Sequence, residues 1–557
     1  MIKRMSSHDK GAMSNARSWA TFCRGIVDEL FVMRRHRVMS WSRASVYLLM
    51  VTACTAWWYR ADVVTPIPFA SYDQHAVDSL NVAVNRAFCG FPSRLSHDAQ
   101  IASLFKEDGS LLTLPVSTVI VNRWQRIDLY CATVTQPFLN NENSLMLLES
   151  WILRFVPNVS LADIGWIMLA LKMTIVLLFC LALLRGGMSV LVCVGVVQIA
   201  AAILHQMQPL AYSLYSFFVP VTVLPIAFYS LTATASRRIP VRMIVALVGG
   251  VLAAYGANMR TSYLPMHLAV FLLYLLAVAC RPAERRQAFG QRLVVSVAAA
   301  ALFAAGYGAF HYSLISNEEA GAAAFKAELA ARVARLPVAG SRPPASTYPP
   351  MPYHLVWHPL VLSLALPPNP LSKREGILWH DATGLELARR VDPSAEYLGS
   401  GYEPALSTYY FGLWRQYPAE MRQIYIEKFK LAGRSMIDTA QYPSRWIVAA
   451  MTALAYVPNG FWLLAGLVAT SGASLWWHVR SGNSAILAVT QLTCVGALLV
   501  VESAIIIPAF QLSHHSTLLF ACSVTTLFLG QLVVNVPVSI GERLVARRTL
   551  TAIAAGA

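Results

Sequence analysis

Long apolar runs separated by short polar loops dominate the pattern of this chain. Each run, with its flanking residues, is long enough to form a helix across a bilayer, since a span needs roughly 20 residues. The pattern therefore predicts an all-α polytopic membrane protein with about ten transmembrane helices. The runs centre near residues 44–59, 162–184, 188–207, 210–232, 241–258, 263–280, 293–313, 458–478, 484–509 and 516–537.

The charge of the loops predicts the orientation of these helices. The N-terminal leader and four loops on its side of the membrane are rich in Arg, whereas the short loops on the opposite side carry Arg260 alone. Because cytoplasmic loops collect basic residues, both termini are predicted to be cytoplasmic. The basic loops are residues 236–242, 281–292, 478–482 and 542–548.

Two long segments are too polar to cross lipid and are predicted to be external and mostly helical. Residues 446–456 are interpreted as a short interfacial or re-entrant helix. The predicted organisation is a basic cytoplasmic leader (1–43), a membrane domain (44–313) with an external loop (60–161), an external soluble domain (314–445), C-terminal membrane helices (446–541) and a cytoplasmic tail (542–557).

The composition agrees with the membrane class. Of the 557 residues, 56% are hydrophobic and 13% are charged, about half of the roughly 25% charged residues in soluble domains. The net charge of +16 is explained by basic cytoplasmic loops, and no nucleic-acid-binding motif accompanies it.

The absence of a Walker lysine motif, of H-E-x-x-H and of G-x-S-x-G argues against ATP-driven transport, zincin proteolysis and the usual serine hydrolases. The Lys-poor, Arg-rich and Ala-rich usage is typical of a high-GC bacterium, and the predicted location is its cytoplasmic (inner) membrane.

Two of the nine cysteines, Cys89 and Cys131, fall in the first external loop. The oxidising side of a membrane permits a disulfide between them. The alternative is two free buried thiols. The chain contains no C-x-x-C, which argues against a thiolate zinc site.

Two charged residues, Lys172 and Glu502, lie inside apolar runs. Charged groups in lipid are costly and are functional candidates by default. Either they belong to the pathway of a multispan transporter or lipid flippase, or they form a buried structural pair, or Lys172 snorkels to the interface. The chain has no internal repeat, which argues against the usual transporter plan.

The first external loop includes "SYDQHAVDSLNVAVNRAF" (71–88), in which Asp73 precedes an amphipathic segment with Leu80 and Val84 on one face. A short leader, one span, this long loop, many further spans and a late external domain resemble the membrane glycosyltransferases of the GT-C class. The resemblance implies a polyprenyl-phosphate-linked sugar as donor and a catalytic Asp or Glu in the first external loop. It further implies hexosyl or pentosyl transfer to an envelope glycan, lipid or protein outside the membrane. The paired D-E or D-x-D of several branches is absent from this loop.

Two carboxylates are candidates for the base that takes the proton of the acceptor hydroxyl. Asp73 is the first, and its alternative role is to cap the helix that it precedes. Glu142, in "NNENSLMLLESW", is the second, and its alternative role is in an Asn-capped helix start.

Cations at the outer membrane edge are candidates for binding the donor phosphate. Arg260 lies in a very short external turn, and Arg suits bidentate phosphate binding. Its alternative role is to snorkel to lipid head groups. Lys428 and Arg434 lie on a predicted amphipathic helix. Either both bind lipid head groups in general, or one of them contacts the donor phosphate.

Polar and aromatic residues of the late external segment are candidates for binding the acceptor. Aromatic rings with carboxylates suit sugars, although aromatic residues serve equally well as the core of a small domain. No cofactor is assigned, and the metal requirement is left open, with a divalent metal as the candidate. The predicted acceptor-binding residues are His358, Trp379, Asp381, Tyr402 and Glu403.

Overall fold

The computed structural model describes most of the chain, in segments that include the predicted membrane helices and parts of both external regions. The described residues are 39–59, 74–90, 93–95, 108–132, 134–137, 143–156, 158–206, 217–233, 235–260, 263–280, 289–334, 356–397, 401–438, 459–505 and 516–533.

Helices make up nearly all of the described structure, and two short strands pair antiparallel in the region that the sequence predicts to be the first external loop. The elements of the first part of the chain are α1 (Trp41–Tyr59), α2 (Gln74–Cys89), β1 (Ser93–Leu95), α3 (Val116–Trp124), α4 (Ile127–Ala132), β2 (Val134–Pro137), α5 (Asn143–Phe155), α6 (Leu161–Arg185), α7 (Val190–Gln206), α8 (Phe218–Thr232), α9 (Ile239–Met259), α10 (Tyr263–Ala279) and α11 (Phe289–Ala334). The later elements are α12 (Trp357–Leu362), α13 (Pro370–Glu375), α14 (Asp381–Val391), α15 (Tyr402–Gln416), α16 (Pro418–Asp438), α17 (Gly460–Ser481), α18 (Ser484–Ile505) and α19 (Ser516–Val533).

The apolar runs of the sequence coincide with helices. Five helices of the described chain are long and apolar enough to cross a membrane, which supports a membrane-embedded helical protein. Three shorter apolar helices accompany them, within α7, α8 and α10. The full count of ten spans and the orientation of the termini stay predictions. The five candidate spans are Leu161–Arg185, Ile239–Met259, Gly290–Asn317, Ser484–Ile505 and Ser516–Val533.

Helix α11 is longer than its apolar run. It continues without a break to Ala334, so the predicted boundary between residues 313 and 314 falls inside one helix. The residues from 314 to 334 are rich in Ala and include several Glu, which are strong helix formers and extend the helix beyond its apolar part. Near its middle α11 packs closely on α9, because Gly250 of α9 and Gly306 of α11 let the two backbones approach each other.

The membrane bundle consists of α1, α6 to α11 and α17 to α19, and its interior is apolar with a few buried polar side chains. Helix α8 contacts α6, α9, α10 and α18, so it lies inside the bundle. Pro225 lies within α8. Because Pro has no N–H, the carbonyl of Val221, four residues earlier, has no helical donor. This carbonyl instead accepts a hydrogen bond from Nε2 of His267 on α10, at 3.2 Å.

The first surface unit consists of α2 to α5 with β1 and β2, and it shares one hydrophobic core with the bundle. Leu80 and Val84 are buried in this core, as their spacing predicts. A disulfide joins Cys89 at the end of α2 to Cys131 of α4, which settles the two alternatives in favour of the bridge.

The late unit consists of α12 to α16 and has a hydrophobic core of its own. Helix α14 contributes one face to it, with Thr383, Gly384, Leu387 and Ala388 buried at helical spacing. The unit joins the bundle through α16, whose Phe429 ring stacks on Phe461 of α17 with ring centroids 4.9 Å apart.

Candidate functional site

The two candidate bases, Asp73 and Glu142, lie outside the described residues. Each directly precedes a described helix, since α2 begins at Gln74 and α5 begins at Asn143. The side chain of Arg434 on α16 also lies outside the described residues. The catalytic roles of Asp73 and Glu142 and the phosphate-binding role of Arg434 therefore stay predictions.

Charged side chains of the membrane bundle and its first surface unit interact in two groups, Glu149 with Lys172, and Arg260 and Glu502 with Tyr263. We call Glu149 of α5, Lys172 of α6, Arg260 after α9 and Glu502 of α18 the charged cluster. Two of them, Lys172 and Glu502, are the intramembrane charges that the sequence singles out, and Arg260 is the predicted phosphate-binding residue.

Lys172 lies at the middle of α6 and is only 3% exposed. Its Nζ lies 4.3 Å from the centroid of the Phe217 ring, a cation–π distance. The buried carboxylate of Glu149 interacts electrostatically with this ammonium and with the hydroxyl of Tyr255 on α9. Because Lys172 is enclosed in the protein, it does not snorkel to the interface. The opposite charge of Glu149 stabilises its ammonium where water is excluded.

Arg260 ends α9 and lies 5.8 Å from the centroid of the Phe218 ring. The buried Tyr263, the first residue of α10, packs on the same ring at a centroid distance of 4.8 Å. Both Arg260 and Glu502 interact electrostatically with Tyr263. Lys172 and Arg260 therefore each lie over the ring of one of two consecutive residues, Phe217 and Phe218, at the start of α8.

Glu149 is the member of the cluster that our sequence interpretation missed. It is completely buried, and it shares a face of α5 with the buried residues Leu145, Met146 and Leu153. Spacings of three and four residues place these positions on one side of a helix. A carboxylate on the apolar face of an amphipathic helix was therefore the signal in the sequence.

The late unit brings together four of the five predicted acceptor-binding residues. Nδ1 of His358 lies 2.6 Å from the Tyr402 hydroxyl, and Nε2 lies 3.2 Å from Oδ1 of Asp381. Since a carboxylate only accepts, Nε2 carries the proton and Nδ1 accepts from Tyr402. Burial lowers the pKa of His358, and the Asp381 carboxylate opposes this shift. Trp379 is half-buried and lies two residues before the start of α14.

Glu403 has a structural contact that its predicted binding role did not include. Its two carboxylate oxygens accept backbone N–H bonds from Val356, Trp357 and His358 at 2.7 to 2.9 Å. These N–H groups belong to the start of α12, where helical donors have no partner within the helix. The carboxylate therefore caps α12 from the neighbouring helix α15 and sets the position of His358.

Lys428 lies in a different environment from the one that its pattern predicts. Instead of facing head groups, its side chain is completely buried, and Nζ donates to Oγ of Ser363 at 2.8 Å and to the carbonyl of Ile505 at 3.2 Å. Ile505 ends α18, where carbonyls lack helical partners and attract a cation. Burial lowers the pKa of Lys428 to about 7. The residue joins the late unit to α18, and its phosphate-binding role stays a prediction.

The neighbouring Lys430 shows the behaviour expected of a surface residue. It is exposed and pairs with Glu427 at 2.7 Å.

Among the described residues, no group of three or more His, Cys, Asp or Glu side chains could hold a metal ion.

Comparison with known proteins gives no relative for this chain. No family model matches it, and no curated protein and no solved structure matches it either. Any function therefore has to be inferred from the chain and its geometry alone.

Proposed function

We propose that the protein is an integral membrane glycosyltransferase that moves a sugar from a polyprenyl-phosphate donor to an acceptor on the extracytoplasmic side. The observation that carries the proposal is the charged cluster. Arg260 and Lys172 contact the adjacent rings of Phe218 and Phe217, and Glu149 and Glu502 lie near them. Cations held in a water-poor site stabilise a leaving phosphate strongly, and an apolar bundle around them suits a lipid tail.

The placement of the surface units also supports the proposal. The late unit contacts the carbonyl of Ile505, three residues after Glu502 and therefore within one helical turn of the charged cluster. The first surface unit contributes Glu149 to the cluster and contains α2, which begins directly after Asp73. In this proposal Asp73 is the base, Glu142 is the alternative base, and the late unit binds the acceptor.

The decisive experiment is transfer by the purified full-length protein in lipid nanodiscs. The donors are a set of polyprenyl-phosphate hexoses and pentoses, and the product measured is free polyprenyl phosphate. We expect release with at least one donor, and a loss of about 10²-fold or more in Asp73→Asn, the upper range for a positioned acid–base group being about 10⁴-fold. Asp78→Asn, on the helix that follows Asp73, is the matched control.

Two results would count against the proposal in different ways. Failure of every donor to release polyprenyl phosphate would remove its basis. Full activity in Asp73→Asn with loss in a Glu142→Gln variant would keep the reaction and move the base to Glu142.

The second candidate function is a multispan transporter or lipid flippase of the cell envelope. The burial of Lys172 inside a candidate span favours it, because charged groups within membrane helices often line substrate pathways. This function predicts that Lys172→Met and Glu502→Gln abolish translocation of a lipid probe in proteoliposomes. Translocation at the wild-type rate in both variants would exclude the pathway.

A further inference from the structure

A line of buried polar side chains runs along the interface of α8, α9 and α10. We call it the polar column, and it lies beyond the charged cluster, towards the opposite end of α9. In order from the Arg260 end, its members are Tyr263, His267, Tyr229, Tyr274, Ser236 and Arg242.

The column extends through nearly the whole bilayer core. Arg242 lies near the start of α9 and Arg260 directly follows its end, so 18 residues separate them. At 1.5 Å per helical residue they are about 27 Å apart, close to the roughly 30 Å thickness of the hydrocarbon core. Every member of the column is no more than 3% exposed.

Glycines on α9 make room for the column. A Cβ at Gly256 would lie 2.6 Å from Cε1 of His267, and a Cβ at Gly249 would overlap the hydroxyl of Tyr229. The two glycines and Arg242 are spaced by seven residues, which places them on one face of α9. This face of α9 is therefore shaped around polar groups.

The lower part of the column is directly hydrogen-bonded. The hydroxyl of Tyr274 donates to Oγ of Ser236 at 2.6 Å, and Nε of Arg242 donates to the carbonyl of Ser236 at 3.3 Å. The ring of Tyr229 stacks on Tyr274 with centroids 4.8 Å apart.

The upper part of the column contains polar atoms that have no hydrogen-bond partner among the described residues. These are the hydroxyl of Tyr263, Nδ1 of His267 and the hydroxyl of Tyr229. Since the Val221 carbonyl can only accept, Nε2 of His267 carries a proton and Nδ1 is free to accept one.

Buried polar groups in proteins are almost always satisfied, and internal water usually supplies the missing partners. The two turns of α9 between Gly256 and Gly249 correspond to about 10 Å, or roughly three hydrogen-bond lengths. We propose that the polar column holds internal water and forms a proton-conducting path between the Arg260 end and the Arg242 end of the bundle. Within it, Nδ1 of His267 accepts a proton to give the imidazolium, which then releases one proton to the next acceptor and returns to the neutral ring.

The test measures proton flux in proteoliposomes that contain the full-length protein and an internal pH-sensitive dye. A potassium gradient with valinomycin supplies the driving force. We expect wild-type flux above that of protein-free vesicles, and roughly five- to tenfold lower flux in Tyr263→Phe and Tyr229→Phe, since each removes one hydrogen-bonding group from the path.

The same two substitutions separate conduction from folding. Each hydroxyl lacks a partner among the residues that the structure describes, so its removal should leave the thermal midpoint unchanged or raise it. Tyr307→Phe on α11, outside the column, is the matched control and should conduct like the wild type. Wild-type flux equal to that of empty vesicles, or equal flux in the column variants and the control, would overturn the proposal. Sugar transfer is measured separately, so neither result depends on the other.

Discussion

The charged cluster of the bundle and the histidine cluster of the late unit (His358, Asp381 and Tyr402) both gather polar residues from several helices, but their surroundings differ. In the late unit each ring nitrogen of His358 has a defined partner, and the capping of α12 by Glu403 fixes the position of the ring. In the bundle, Lys172 lies over an aromatic ring in the apolar core, and the half-buried Arg260 lies over another ring at the end of α9. The contacts of the late unit are explained by folding alone. The charges of the bundle are expensive for folding, and function explains their retention better.

The largest expected effect comes from breaking the charge balance in the bundle. Lys172→Met leaves the buried Glu149 without its electrostatic partner, so we expect about 3–5 kcal/mol of destabilisation. The double variant Lys172→Met with Glu149→Leu removes both charges and should recover most of that loss. Thermal unfolding in detergent, followed by loss of the monodisperse species, checks both.

Equal stability of the single variant and the wild type would show that Lys172 and Glu149 are energetically independent. The charges of the bundle would then carry no measurable cost for folding. Recovery of stability in the double variant without recovery of transfer would be the clearest sign that the pair is kept for function.

The next prediction concerns activity and the cation at the end of α9. Arg260→Ala should lower sugar transfer by about 10²- to 10³-fold, the range for one group that stabilises a developing charge, and should change stability little. Arg480→Ala is the matched control, because Arg480 also lies over a ring, at 3.8 Å from the centroid of Trp476, on a different helix. Rates of sugar transfer with saturating donor, measured for both variants, check this prediction. An equal loss in both variants would show a general effect of removing surface cations.

The third prediction tests whether the late unit depends on close packing. A Cβ at Gly384 would overlap the Tyr402 hydroxyl and lie 2.8 Å from Nδ1 of His358, so Gly384→Ala should destabilise the unit by about 1–3 kcal/mol. Gly412→Ala on α15 is the control, because nothing lies within 4 Å of its Cβ position and Ala favours a helix. Limited proteolysis of the late unit checks both. Cleavage of Gly384→Ala at the wild-type rate would contradict the packing role.

The sequence predicted those features that depend on local pattern. The apolar runs coincide with helices, and the spacing of Leu80 and Val84 predicted their burial. Features that depend on distant partners were not predictable in this way. Lys428 looks like a surface residue of an amphipathic helix, and its burial is explained by two distant acceptors, Oγ of Ser363 and the carbonyl of Ile505, 77 residues further along the chain. Glu403 caps a helix that begins more than 40 residues before it. Glu149 has a local signal, a carboxylate on the apolar face of α5, but α5 lies outside the long apolar runs in which Lys172 and Glu502 stand out.

The smallest expected effect is the pH dependence of the joint between the two regions. Burial lowers the pKa of Lys428 from 10.5 to about 7, so between these values the open state binds a proton that the closed state does not. The free energy of opening should therefore rise with pH above 7, by at most about 1.4 kcal/mol per unit, and reach its minimum below pH 7. Hydrogen exchange of α16, corrected for the intrinsic rate, measures it. Lys428→Met should remove the slope, while Lys430→Met, which changes an exposed lysine on the same helix, should keep it. If the free energy of opening still rises with pH in Lys428→Met, the titrating group lies elsewhere. The contact between α16 and α18 would then resemble the fixed hydrogen bonds of the late unit more than the charged interior of the bundle.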